Sequence, residues 1–114
     1  MPKLISQKNY KGILTASLNV NSTDQVVLDI FSKNLYRTIK YYIQVQRGSS
    51  YHTTEINLTH DGTNVYTTEF GTITSNGILC TFDADIVSSN VRLLVTPNTS
   101  ESTTIKLLKT SINS

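Results

Sequence analysis

Apolar residues in this chain recur at every second position over long stretches. In "TIKYYIQVQR", Ile39, Tyr41, Ile43 and Val45 share one parity, while Lys40, Tyr42, Gln44 and Gln46 share the other. Successive side chains of a β-strand point to opposite faces, so this pattern describes a strand with one dry and one wet face. "ILCTFDADI" repeats it, with Ile78, Cys80, Phe82, Ala84 and Ile86 on one parity through nine residues. A single strand cannot bury such a face, and the pattern therefore demands sheets.

Turn chemistry separates the alternating runs. Arg47-Gly48-Ser49-Ser50 interrupts the first, and "YHTTEINLTH" resumes it with Thr54, Ile56 and Leu58 facing one way, as in a hairpin. "NVYTTEF" follows Asp61-Gly62, "ILCTFDADI" follows Ser75-Asn76-Gly77, "VRLLVT" follows Ser88-Ser89-Asn90, and "TIKLLKTSI" follows Pro97-Asn98 and a Ser/Thr run. "GILTASLNV" and "QVVLDIF" are two further strands upstream. Ser, Thr and Asn supply 40 of the 114 residues and Ala only two, which favours pleated, half-solvated surfaces and withholds the best helix former. Short strands at turn-marked intervals of roughly 8 to 12 residues predict an all-β protein. The expected architecture is a single β-sandwich or jelly-roll-like domain of seven or eight antiparallel strands over residues 21–114. Residues 1–20 are expected to form a separable N-terminal arm. A chain of this length has room for one core.

The formal charge of +2 is too small to imply nucleic-acid binding, and the cations are scattered. Lys3, Lys8 and Lys11 precede the first acid, Asp24, so the arm is a candidate for contact with an acidic partner surface. Cys80 is the only cysteine, which excludes an internal disulfide and a cysteine-built zinc site. No stretch approaches the roughly eighteen apolar residues of a membrane span, and the start lacks a signal-peptide core. The expectation is a soluble chain made in a cytosol, without membrane insertion. The sequons at Asn21, Asn57 and Asn98 carry no weight in that setting.

"THDGTNVYTTEF" gathers His60, Asp61 and Glu69 in one short stretch. Asp-Gly is a strong hairpin signal, because Gly accepts positive φ and Asp bonds the turn backbone. His60, Asp61 and Gly62 are therefore read as a structural turn, with His60 placed for packing or a local hydrogen bond. A metal reading would recruit Glu69 or Glu55, but the nearest other histidine, His52, lies about 26 Å away along a straight strand. Asp83 and Asp85 stand about 7 Å apart on one strand face, a spacing that calcium or a glycosidase acid pair would use, and that any wet strand face also produces. Cys80 sits on the apolar parity and reads as a small buried hydrophobe. No GxSxG, HExxH, P-loop or dinucleotide pattern is present. The chain is expected to be no enzyme and to need no cofactor. Tyr42 and Tyr66 are the candidate interface residues, with a protein surface preferred over a sugar as their partner.

The string from "KYYIQVQRGSS" through "TEINLTHDGTNVYTTEFGTI", "TFDADI" and "VRLLVTP" to "TIKLLKT" resembles a β-rich module of tailed-bacteriophage virion proteins, particularly of cyanophages and other marine phages, where it often closes fibre or other tail-associated chains. The resemblance spans residues 35–112 and rests on patterned segments in matching order. It implies a non-catalytic virion component, made in the bacterial host and assembling with copies of itself or with other virion proteins, and it assigns no active-site residues. With about 35 residues where a fibre would carry a shaft, the chain also fits a capsid-decorating protein or a small tail or baseplate accessory. A carbohydrate- or receptor-binding module, with a host-surface glycan as partner, is the alternative.

Overall fold

The structure, a computed structural model, describes residues 13–114. All eight anticipated runs are strands: β1 (Ile13–Val20), β2 (Val26–Ser32), β3 (Tyr36–Arg47), β4 (Ser50–His60), β5 (Val65–Thr74), β6 (Cys80–Val87), β7 (Asn90–Pro97) and β8 (Thr103–Asn113). They form a five-stranded sheet in the order β1-β8-β3-β4-β5 and a three-stranded sheet in the order β2-β7-β6, antiparallel throughout. Strands β3, β4 and β5 make a meander within one sheet, where paired Greek keys would cross between sheets. Ile13–Val20, the last part of the stretch expected as an arm, pairs along its length with β8. Lys3, Lys8 and Lys11 lie outside the described residues.

The core forms where the two sheets face each other. From the large sheet it takes Ile39, Tyr41, Ile43 and Val45 of β3, Ile56 and Leu58 of β4, and Ile105 and Leu107 of β8. The small sheet answers with Phe31, Cys80, Val91, Leu93 and Val95. The parity of β3 is thus the one its sequence announces. Each fully buried aliphatic side chain contributes about 1.5–3 kcal/mol, so a one-residue slip of β3 would exchange Ile39, Ile43 and Val45 for Lys40, Gln44 and Gln46 and is forbidden.

The apolar parity of the sixth run holds only from Cys80 onward. Ile78 is 48% exposed, while Leu79 is buried. These two residues precede the strand, and side chains share in holding their backbone: Asn98 Nδ2 donates to the Ile78 carbonyl at 2.7 Å, and the Leu79 carbonyl accepts from Arg47 at 3.2 Å as well as from the Asn98 N–H at 3.0 Å. Outside a strand, alternation no longer dictates the face.

A second departure from simple alternation builds an ion pair into the core. The β2–β7 register shifts between Val27 and Asp29, a bulge that turns Asp29 and Phe31 inward and leaves Ile30 outside. Asp29 Oδ2 then accepts from Lys109 Nζ at 2.8 Å and from the Tyr41 hydroxyl at 2.7 Å. Lys109 occupies a core-facing position of β8, and its ammonium lies about 6 Å from the ring centroids of Phe31 and Tyr36. Burial, and then the Asp29 carboxylate, push the Tyr41 phenol well above its ordinary range, so it remains a donor. The cluster joins the two sheets by charge.

Removing one partner strands the other in the core. Asp29→Ala is expected to cost about 3–5 kcal/mol in urea unfolding, because Lys109 is left buried and unpaired. Replacing the pair together, Asp29→Leu with Lys109→Met, is expected to recover most of that loss; equal destabilisation by the single and double variants would show that packing rather than charge sets the cost.

Candidate functional site

The stretch around His60 resolves into turn architecture. Gly62, at φ +93°, occupies the left-handed side of the map, where a side chain would be strained. Asp61 Oδ1 accepts from the backbone N–H groups of Thr63 and Asn64 at 2.9 and 2.7 Å, and Oδ2 accepts from the Tyr66 hydroxyl at 3.1 Å. Those backbone donors hold the exposed Asp61 carboxyl down at about 2. The loop spans Asp61 to Asn64, with Asp61 N–H bonded to the Asn64 carbonyl and Gly62-Thr63 at its tip. His60 is buried: its Nδ1 accepts from Gly62 N–H at 3.1 Å, and its Nε2 lies 2.7 Å from the Tyr36 carbonyl. Both ring nitrogens are therefore engaged by backbone.

Glu69 is not brought to His60. It pairs across the ladder with Ile56, four positions from His60 and so about 13 Å along the strand. There it accepts from the Thr54 hydroxyl at 3.0 Å. Asp83 and Asp85 also part company. Asp83 Oδ1 accepts from the Ala84 N–H at 2.8 Å, whereas Asp85 takes a two-pronged contact from Arg92 at 2.8 and 2.6 Å. That guanidinium lowers the Asp85 carboxyl below its ordinary value. Cys80 is buried, and desolvation pushes its thiol up to about 11, which leaves it a poor nucleophile. Among the described residues no three His, Cys, Asp or Glu side chains are grouped to hold a metal ion. A cleft of about 30 Å³, lined by Glu69, Phe82 and Asp83, opens between β5 and β6 and has room for roughly one water.

The surface with the strongest claim to function is the outer face of the large sheet. Tyr42, Tyr51, Tyr66, Phe70, Ile73 and Leu108 all belong to it, each at least 38% exposed. The register sets them in cross-strand rows: Leu108, Tyr42, Glu55 and Phe70 lie across β8, β3, β4 and β5, and Thr53 stands beside Ile73. Alternation alone puts Tyr42 there, because Tyr41 and Ile43 take the core. Lys40 bridges to Glu55 at 3.3 Å and lies 5.9 Å from the Phe70 centroid, so part of the charge on this face is internally neutralised. Two shallow depressions mark it, one of about 500 Å³ beside Tyr42, Gln44, Lys106 and Leu108, the other of about 430 Å³ beside Asn57, Tyr66 and Thr68. Tyr42 and Tyr66 were legible as candidates in the sequence. Phe70 shares the parity of Tyr66, but Ile73 was not legible, because a bulge intervenes between it and Phe70: Thr54 stands opposite Gly71 and Thr72, with Gly71 at φ +67°.

His52 is the one buried histidine with a free nitrogen. Its Nδ1 accepts from Leu79 N–H at 3.2 Å, so Nε2 carries the proton, and that atom has no partner among the described residues. Burial lowers its pKa, opposed by the Glu69 carboxylate. The ring stays neutral and packs edge-on against Phe82, 6.2 Å between centroids.

No protein-family model matches this chain, and no curated protein matches it in sequence. Among solved structures it is similar to the tailspike protein of Acinetobacter phage vB_ApiP_P1, at 17% identity and a TM-score of 0.51 over 97% of this chain and 24% of that one. Weaker likenesses reach tailspike protein gp49 of Acinetobacter baumannii bacteriophage Fri1, a capsular polysaccharide depolymerase (13% identity, TM-score 0.47, 96% of this chain and 23% of that one). They also reach the tailspike protein of Acinetobacter baumannii phage AM24 (10%, 0.39, 99% and 28%). The chain spans about a quarter of the length of these proteins. The first likeness shows a shared fold, and the other two are too low to add to it.

The neutral, buried His52 gives stability a pH dependence of known sign. Its folded pKa is depressed, so its contribution is full above the unfolded value near 6.5 and is lost as pH falls below that value. Unfolding free energy is expected to fall between pH 7 and pH 5 with a slope of at most about 1.4 kcal/mol per pH unit from this residue. His52→Gln, which keeps an acceptor for Leu79 N–H and does not titrate, is expected to flatten the profile; an unchanged slope would assign it elsewhere.

Proposed function

We propose that the chain is a non-catalytic structural component of a phage tail, assembling through protein–protein contacts made by the outer face of its five-stranded sheet. The carrying observation is that face. It exposes Tyr42, Tyr51, Tyr66 and Phe70 together with the aliphatic Ile73, Leu108 and Ile112 on a surface that the sandwich itself does not need. Leu108 and Tyr42 stand side by side there, with Phe70 beyond Glu55, and Tyr and Phe are enriched in protein interfaces. The fold shared with a phage tailspike supports a tail-associated place in the virion over a capsid-decorating one. The contacts of three acids considered as catalysts support a structural role: Asp61 closes a turn, Glu69 bonds Thr54 and Asp85 bonds Arg92.

A second reading, binding of a host-surface glycan, draws on the two shallow depressions, where tyrosines stand beside the amides of Gln44 and Asn57. Aromatic faces with flanking amide groups can stack on and hydrogen-bond a sugar. One pair of substitutions separates the readings. Tyr42→Glu combined with Leu108→Glu places charge in the middle of the face on exposed positions, so the fold and its unfolding midpoint are expected to persist. Incorporation into purified particles, quantified by peptide mass spectrometry, is expected to drop at least tenfold. Wild-type incorporation together with lost binding to host-surface polysaccharide would transfer the face to the glycan reading.

A further inference from the structure

Strand β5 is a long edge with few of the usual safeguards. It has β4 on one side, and no strand pairs with its other side among the described residues. Natural edges are protected by Lys, Pro, inward charges, bulges or brevity. The outer edge of β6 carries Asp83 and Asp85, and β2 is broken by its bulge. Over Val65–Thr74, β5 holds no Lys and no Pro, and its one charge, Glu69, is held against Thr54. Its bulge at Gly71 leaves six residues, 65–70, in unbroken register from the turn.

The hydrogen-bonding direction of each β5 residue follows from the hairpin. Asp61 and Asn64 form a hydrogen-bonded pair at the turn, and antiparallel pairs alternate from there. Tyr66, Thr68 and Phe70 therefore turn their backbone groups toward β4, and Val65, Thr67 and Glu69 turn theirs toward the open edge. A second copy approaching antiparallel can pair only in registers that match these outward residues to each other. Centring the pair on Glu69 opposes two carboxylates, which is unfavourable. Centring it on Thr67 leaves Phe70 without an aromatic opposite. Centring it on Thr68 matches Thr67 with Glu69 of the other copy, Val65 with Gly71, and Tyr66 with Phe70, so that aromatic pairs face each other on both sides of a two-fold axis. Tyr66 and Phe70 fall at non-hydrogen-bonded positions, where opposing side chains approach most closely.

We propose that the occupant of this edge is a second copy of the chain, bound by antiparallel β5–β5 pairing about a two-fold axis at Thr68, which joins two five-stranded sheets into one. The inference rests on the reading of the chain as an assembling part and names its first partner. A two-fold interface of this kind is self-complementary, which the sequence "VYTTEFG" satisfies. It also extends the outer face, since Tyr66 and Phe70 of each copy continue the row of aromatic side chains into the next sheet.

Thr68→Cys tests the register directly. At a non-hydrogen-bonded pair on the axis the two Cα atoms stand about 4.5 Å apart, within reach of a disulfide. The full-length variant is expected to oxidise to a covalent dimer of twice 12.7 kDa, whereas the wild type, whose single cysteine is buried, stays uncrosslinked under the same oxidant. Light scattering of the wild type is expected to give the dimer mass. Tyr66→Lys with Phe70→Lys is expected to raise the dimer dissociation constant at least tenfold, and Tyr66→Lys with Phe70→Glu to restore it. A wild-type mass of one copy, or of three or more, would overturn the pairing, as would a dimer in which Thr68→Cys fails to crosslink. A dimer that is absent from particles would sink the tail reading and leave the pairing standing; a monomer found in particles would do the reverse.

Discussion

A three-stranded sheet cannot cover a five-stranded one, and much of this protein's surface chemistry follows from that mismatch. Burial concentrates on β3, β4 and β8, the middle of the large sheet, where β2, β7 and β6 lie opposite. β5 has no buried residue at all. Its inward positions, Thr67 and Glu69, meet solvent where a core strand would place Val or Ile. The overhang is stable because it lies along β4, whose other side is fully packed, and because hydroxyl side chains suit a strand that is wet on both faces.

Polar contacts fix how the two sheets sit on each other. Asp29, Lys109 and Tyr41 join β2 to β8 and β3 midway along those strands. At one end, Arg47 donates to Thr103, Asn98 and the Leu79 carbonyl, and His52 receives Leu79 N–H. Apolar packing is non-directional and would tolerate some sliding of one sheet over the other. A buried ion pair adds little net stability after desolvation, yet a slid arrangement would leave both charges unmatched. The clusters are best understood as setting register between sheets, as hairpin turns set it within them.

The sequence displayed the strands clearly and the polar staples hardly at all. Strand identity is local: Ile39 to Val45 and Ile105 to Leu107 declare their faces through neighbours two positions away. The Asp29–Lys109 pair joins residues 80 positions apart, and no local pattern announces it. A trace was nevertheless present, because Lys109 shares the parity of Ile105 and Leu107, and a lysine on a core parity requires an acid. Asp29 was concealed by its bulge, which reverses the parity of "VVLDIF" midway. Bulges defeat period-two reading wherever they occur, at Leu28 and at Gly71, and Ile78 and Leu79, which precede β6, defeat it in effect. Asp-Gly was readable as a turn, but the loop's extent through Asn64 depends on Asp61 capturing the N–H groups of Thr63 and Asn64, which a dipeptide signal does not contain.

The Thr-rich composition and the exposed edge have a common physical explanation. A strand that must remain unpaired until a partner arrives has to satisfy opposite demands. Apolar residues throughout would promote indiscriminate aggregation, and lysines or prolines would prevent any pairing. Threonine keeps β-propensity high through its branched Cβ while its hydroxyl bonds water. In β5, threonines at 67, 68, 72 and 74 supply that compromise, and the aromatic side chains at 66 and 70 provide anchor points that favour particular registers. Selectivity then comes from side-chain matching across the new ladder, since the backbone alone would accept almost any strand. The same division operates inside the molecule, where backbone ladders hold each sheet and a few placed side chains, Asp29, Arg47 and His60, decide the alignment.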